Sequence, residues 1–94
     1  MSKPPKEIDG AEVLEWTWSG SEPFGRLLYE SGAVAAEIYG LAICRYKSDG
    51  FVCRFSCDKY WETEQDAKYS SVSEAKDCLP LQYQNVKAQW QRHE

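Results

Sequence analysis

Between Ala33 and Lys47 the chain keeps its charged residues on one parity. The even positions are Val34, Ala36, Ile38, Gly40, Ala42, Cys44 and Tyr46, and none is charged; the odd positions include Glu37, Arg45 and Lys47. Period two marks a strand with one face toward a core. Fifteen residues is long for one strand, since about 5 to 6 is typical, and Gly40 is the natural place for a bulge or bend. A helix over Ala33 to Leu41 would instead gather Val34, Ile38 and Leu41 on one face. Alanine favours it; Gly40 and the β-branched residues oppose it. We read the segment as strand.

The same pattern recurs on both sides. Leu14, Trp16 and Trp18 alternate with Glu15 and Thr17, which predicts a strand. Ser19 to Gly25 is turn chemistry, Arg26 to Glu30 a short strand, and Ser31-Gly32 a turn. Asp49-Gly50 signals a hairpin, with Phe51 to Cys57 as its return strand: Phe51, Cys53, Phe55 and Cys57 on one face, Val52, Arg54 and Ser56 on the other. Tyr60 to Gln65 predicts a further strand. Ser71 and Glu74 have the spacing of a capping box, so a helix should start there, with Val72, Ala75, Cys78 and Leu79 on its buried stripe and Pro80 ending it. Val86, Ala88 and Trp90 alternate with polar residues and predict a last strand. The expected fold class is α+β: a twisted, mostly antiparallel β-meander with one helix packed on one face. Residues 1–10, polar and proline-bearing, read as a disordered tail ahead of a single domain over residues 11–92.

Ninety-four residues with 43% hydrophobic, 28% charged and 14% aromatic content suit one small globular domain. The net charge of −4, with five acidic and no basic residues from Glu7 to Glu22, argues against a nucleic-acid or anionic-membrane partner. No apolar signal region and no spanning run is present in the sequence, so a cytoplasmic protein with reduced thiols is expected.

Three of the four cysteines lie between positions 44 and 57, spaced C-x8-C-x3-C. No C-x2-C knuckle occurs, and in a strand Cys53 and Cys57 stand about 13 Å apart, too far for one zinc ion. A two-residue loop at Asp49-Gly50 would set Cys44 opposite Phe55 and Arg45 opposite Arg54. A four-residue loop, Lys47 to Gly50, sets Cys44 opposite Cys53, where a cross-strand disulfide is geometrically possible. All four cysteines fall on faces that are apolar on other grounds, so core thiols are the expectation. Cys78 sits at the wrong end of its helix for a reactive thiolate, and Lys59 gives Cys57 little support.

Other chemistry is sparse. Glu62 and Glu64 could pair as hydrolase carboxylates, but their polar surroundings point to a solvated edge. The sole histidine, His93, is near the end of the sequence, and no phosphate- or dinucleotide-binding motif occurs. An enzyme, a cofactor and a metal are therefore not expected. Arg45, Lys47 and Arg54 share a hairpin face that reads as solvated, or as a contact for an anion. The odd face of the long strand carries Tyr39, Leu41 and Ile43, an apolar patch that must be covered. Its cover could be the Trp16–Trp18 strand, a second copy of the chain, or a ligand in a pocket walled by Trp16, Trp18 and Trp61.

The stretch GFVCRFSCDKYWETEQD, followed by SSVSEAKDCLPLQY and a closing Trp, resembles small uncharacterised bacterial proteins carried on mobile DNA, the orphan products of integron gene cassettes and phage. The resemblance covers about half the chain. It implies a compact cytosolic protein that is not a housekeeping enzyme, and it implies no site residues. The expectation is a non-enzymatic binding or interaction module, acting as a homodimer through Tyr39, Leu41 and Ile43. The alternatives are a small-molecule binder using the tryptophans and, behind it, a hydrolase using Glu62 and Glu64.

Overall fold

The computed structural model describes residues 2–48 and 50–93. Among these, β1 (Glu7–Ile8), β2 (Ala11–Trp18), β5 (Gly40–Arg45), β6 (Val52–Cys57) and β7 (Thr63–Tyr69) form one sheet in the order β1-β2-β5-β6-β7. A hairpin of β3 (Gly25–Leu28) and β4 (Val34–Ile38) forms a second, two-stranded sheet. All pairings are antiparallel. With α1 (Val72–Asp77) and a 3₁₀ turn at Leu81–Tyr83, the protein is a small antiparallel half-barrel with one short helix, mostly sheet within the α+β class.

The segment from Ala33 to Lys47 is strand and not helix, interrupted at Tyr39. Tyr39 N–H donates to the Cys57 carbonyl and its own carbonyl accepts from Ser19 N–H, both at 2.9 Å. It therefore joins β4 and β5 into one bent line. Gly40 is required beside it for space: a Cβ there would lie 2.5 Å from the Trp61 ring. The β5–β6 register pairs Cys44 with Cys53 and Arg45 has no opposing arginine, as the four-residue loop requires. Asp49, in the middle of that loop, lies outside the described residues.

Each face of the main sheet carries its own core. One face buries Ala11, Val13, Trp16, Ala42, Cys44, Cys53, Phe55 and Cys57, with Ile8 and Trp61 closing over them. On the other, Ile43 and Val52 pack against Ala75 of α1, and Leu41 packs with Phe24, Ile38 and Tyr83. Every residue of β6 is buried because both of its faces are covered.

Several expectations are corrected here. Leu14 does not share a face with Trp16 and Trp18: a bulge between Val13 and Glu15 moves it to the helix side, beside Ile43. The expected disordered tail includes β1, whose Ile8 is buried, and Ser2, whose hydroxyl accepts from Trp61 Nε1–H at 2.9 Å. The strand expected at Tyr60 to Gln65 starts at Thr63 instead and runs to Tyr69. Helix α1 begins as expected, with Ser71 Oγ accepting from Glu74 N–H at 3.1 Å, while Glu74 reaches back to Ser70 N–H at 2.9 Å. It ends at Asp77, so Cys78 is its C-cap and is exposed rather than buried. The last predicted strand forms no ladder. Val86, Ala88 and Trp90 do pack on the second core, but the segment is tied to β2 by a Trp16–Gln91 bridge and by Gln89 N–H donating to Thr17 Oγ1.

Candidate interaction site

Of the three interface candidates, Leu41 and Ile43 have no exposed surface. They lie under α1 and the segment after it, so they cannot meet a partner. The cover is intrachain, but it is not the tryptophan strand, which pairs beside β5 in the same sheet and turns Trp16 to the opposite face. Tyr39, at the break between β4 and β5, stays partly exposed.

The structure does bring Trp16, Trp18 and Trp61 together. Trp16 and Trp61 meet edge to face with centroids 6.1 Å apart, and Trp18 lies 5.7 Å from Trp61. Trp61 reaches this position through a positive φ of 64°. Asp58 holds the turn around it, its Oδ1 accepting from the N–H groups of Tyr60 and Glu62 at 2.8 and 3.0 Å. Trp16 and Trp61 are buried, and the rings fill the space that they would have walled as a pocket.

The cationic cluster comes apart. Arg45 and Lys47 are exposed, whereas Arg54 is buried. Its guanidinium donates to Tyr69 Oη at 2.9 Å and to Ser56 Oγ at 3.3 Å, and its Cζ lies 5.2 Å from the centre of the Tyr83 ring. No carboxylate among the described residues pairs with it; ring faces and hydroxyls stabilise the charge. A buried arginine among tyrosines leaves no mark in the alternation, which showed only a polar position.

Cys44, Cys53 and Cys57 are core thiols, as expected. Burial pushes the Cys57 thiol up to about 12, with the neighbouring Thr63 side chain acting the other way. Burial, then the neighbouring Cys57 and Cys53, raises Cys44 further. Thiols so hard to ionise are poor nucleophiles. Among the described residues no group of three or more His, Cys, Asp or Glu side chains is arranged to hold a metal ion. Glu62 and Glu64 are exposed, Glu62 in the turn and Glu64 in β7.

A feature with strand-binding geometry lies elsewhere. β3 continues the line of β2, and β4 continues that of β5, so the two hairpins form one bent ladder. β6 accompanies β5 as far as the Gly40–Cys57 pair and then leaves at the Asp58 turn. Beyond that point β4 has β3 on one side and, among the described residues, no strand on the other. A groove of about 310 Å³ occupies the gap, lined by residues 34–37, Tyr39 and the 58–60 turn, with Glu37, Asp58 and Lys59 as its charged groups. Leu28, Tyr29, Val34 and Tyr60 are 60%, 62%, 50% and 73% exposed. Leu28 pairs with Val34 across the hairpin, and Val34 shares the groove with Tyr60. Val34 and Tyr60 therefore border the open strand edge, with Leu28 across the hairpin from it.

No protein-family model, curated protein or solved structure matches the chain. Among the described residues no helix is long and apolar enough to cross a membrane.

Proposed function

We propose that this protein is a small non-enzymatic interaction module that binds by adding an extended strand to the open edge of β4. The observation that carries this reading is the groove left where β6 turns away: an unpaired strand edge, uncharged from Ala33 to Ala36 and bordered by exposed Tyr60 and Val34. A strand paired on one side presents a row of unused backbone donors and acceptors, and an extended segment docks there through main-chain hydrogen bonds. The surrounding apolar side chains supply the burial. Its site of action is the cytoplasm, where Cys44 and Cys53 stay reduced although they face each other. A mobile-DNA accessory protein of the resembled kind suits such a role.

The reading is tested by selecting random extended peptides against the immobilised protein, with Ala36→Pro as the counter-target. Enrichment of apolar peptides that bind the natural chain and not the variant is expected. Circular dichroism of the variant first establishes that it folds, and amide shifts of β4 on peptide titration check the site independently. Recovery of no binding peptide, or of peptides that shift β7 amides instead, removes this reading.

A further inference from the structure

We propose that residues 91–93 form a releasable strap on β2. They swing away about Trp90 while the rest of the chain stays folded, and so uncover a strand edge whose occupant in the closed molecule is this segment of its own chain. The inference goes beyond the β4 groove and does not depend on it.

The outer edge of β2 is closed by two separate short pieces. Near its start, Val13 N–H donates to the Lys6 carbonyl at 2.8 Å, just before β1. Further along, Trp16 and Gln91 exchange both backbone bonds, at 2.9 and 2.8 Å, as an isolated bridge. A hollow of about 800 Å³ is lined from both pieces, by Lys6 and Glu7 of one and His93 of the other, together with Val13. A bridge that no ladder continues, beside a hollow, opens more easily than the sheet it lies on.

The contacts of the strap are of a kind that can be given up. Arg92 reaches Glu15 at 3.4 Å from a side chain that is 79% exposed, but the buried Glu15 carboxylate also holds Lys76 at 2.6 Å. Release of Arg92 therefore leaves no buried charge alone. His93 lies against Trp16, ring centres 6.2 Å apart. In this closed form Trp16 Nε1 and His93 Nε2 are buried and have no hydrogen-bond partner among the described residues. Closure thus carries two unmet polar groups, and opening returns His93 to water.

Trp90 is the pivot. It packs on the cores beneath α1 and the segment after it, with Lys76 Nζ 5.8 Å from its ring centre. Just before it, Gln89 N–H donates to Thr17 Oγ1 at 2.9 Å. The chain up to Trp90 is thereby anchored; the bridge, the Arg92 ion pair and the His93 ring contact all lie beyond the pivot.

The test measures amide exchange in the full chain, with and without low urea. Trp16 N–H should exchange about tenfold or more faster than Tyr39 N–H, which is bonded to the Cys57 carbonyl, and low urea should leave the Trp16 rate unchanged, as a small local opening requires. Gln91→Pro takes away one bridge donor. It should speed Trp16 exchange by about a further tenfold, with Tyr39 exchange and the urea midpoint as in the natural chain. Arg92→Ala, at an exposed side chain, should act in the same direction more weakly, and it carries the test if Gln91→Pro fails to fold. Trp16 and Tyr39 exchanging together, both rising alike with urea, makes residues 91–93 part of the cooperative fold and overturns the strap. Equal acceleration of Trp16 and Tyr39 in the variants overturns it as well.

Discussion

β4 and β7 are both outer strands, each paired on one side, yet they are finished differently. β7 carries Glu64, Asp66 and Lys68, all exposed, the usual means of discouraging edge-to-edge association. It is also fastened from beneath, because Arg54 holds Tyr69 and the Tyr83 hydroxyl donates to Gln65 Oε1. β4 carries a single charge, Glu37, and is anchored in the core only at its end, by Ile38. Its middle is alanine, and its one side-chain link, Arg26 to Glu37, is half-exposed and runs inward to β3. An edge in a small protein is made safe by charge and by anchoring, and a strand with little of either is available for pairing.

The contrast can be broken most severely at Trp61, which anchors the turn that cuts β6 short. Trp61→Ala should cost about 3–5 kcal/mol, and Gly40→Ala, which drives a methyl into the same ring, about 1–3 kcal/mol. Urea unfolding measures both, and a loss under 1 kcal/mol for Trp61→Ala would show that the turn stands without its ring. Tyr69→Phe removes one of the two acceptors of Arg54, the one that fastens β7. It should cost about 1–3 kcal/mol and speed amide exchange in β7 but not in β4; equal acceleration in both would merge the two edges into one unit.

Cys57 sits where the two edges diverge, so its titration sharpens the comparison. Its thiol stays neutral in the folded chain up to about 12, whereas an unfolded thiol ionises near 8.5. Stability should therefore be unaffected below about pH 8.5 and fall through the window above it, by about 1.4 kcal/mol per pH unit for each such thiol. Cys57→Ala should make the alkaline decline shallower, and an unchanged slope would place the titration elsewhere. The smallest effect is expected at Glu37→Gln. Breaking a half-exposed ion pair costs about 0.2–1 kcal/mol, and the thermal midpoint should barely move. A large shift would mean that β4 is held more firmly than its contacts indicate.

The parity of residues 33 to 47 made the long strand, its bend near Gly40 and its uncharged core-facing side legible in the sequence. The capping box located the start of α1, and the three tryptophans converge. What stayed hidden arose from register and from distant partners. A single bulge reassigns Leu14, and the two polar positions Glu15 and Arg54 are buried because their partners come from far along the chain. Glu15 meets Lys76 at 2.6 Å and Arg92 at 3.4 Å. Alternation showed that the odd face of β5 was apolar but could not show that Tyr83, Trp90 and Ala75 return to cover it. The groove was least legible, because it is made by the departure of β6, and a strand that stops leaves no signature on its neighbour.

The bent ladder also offers one short route of assembly. Trp18 and Gly40 are paired across an intervening stretch that contains the whole β3–β4 hairpin. Closing β2 on β5 directly would carry the entropy of that loop. If the Tyr29–Ala33 turn closes first, each further pair down through Tyr39 is a short step, and the two long strands zip together from the tip. The arm that stands open in the finished molecule is then its kinetic seed, so substitutions at the tip should register in the folding rate before they register in stability.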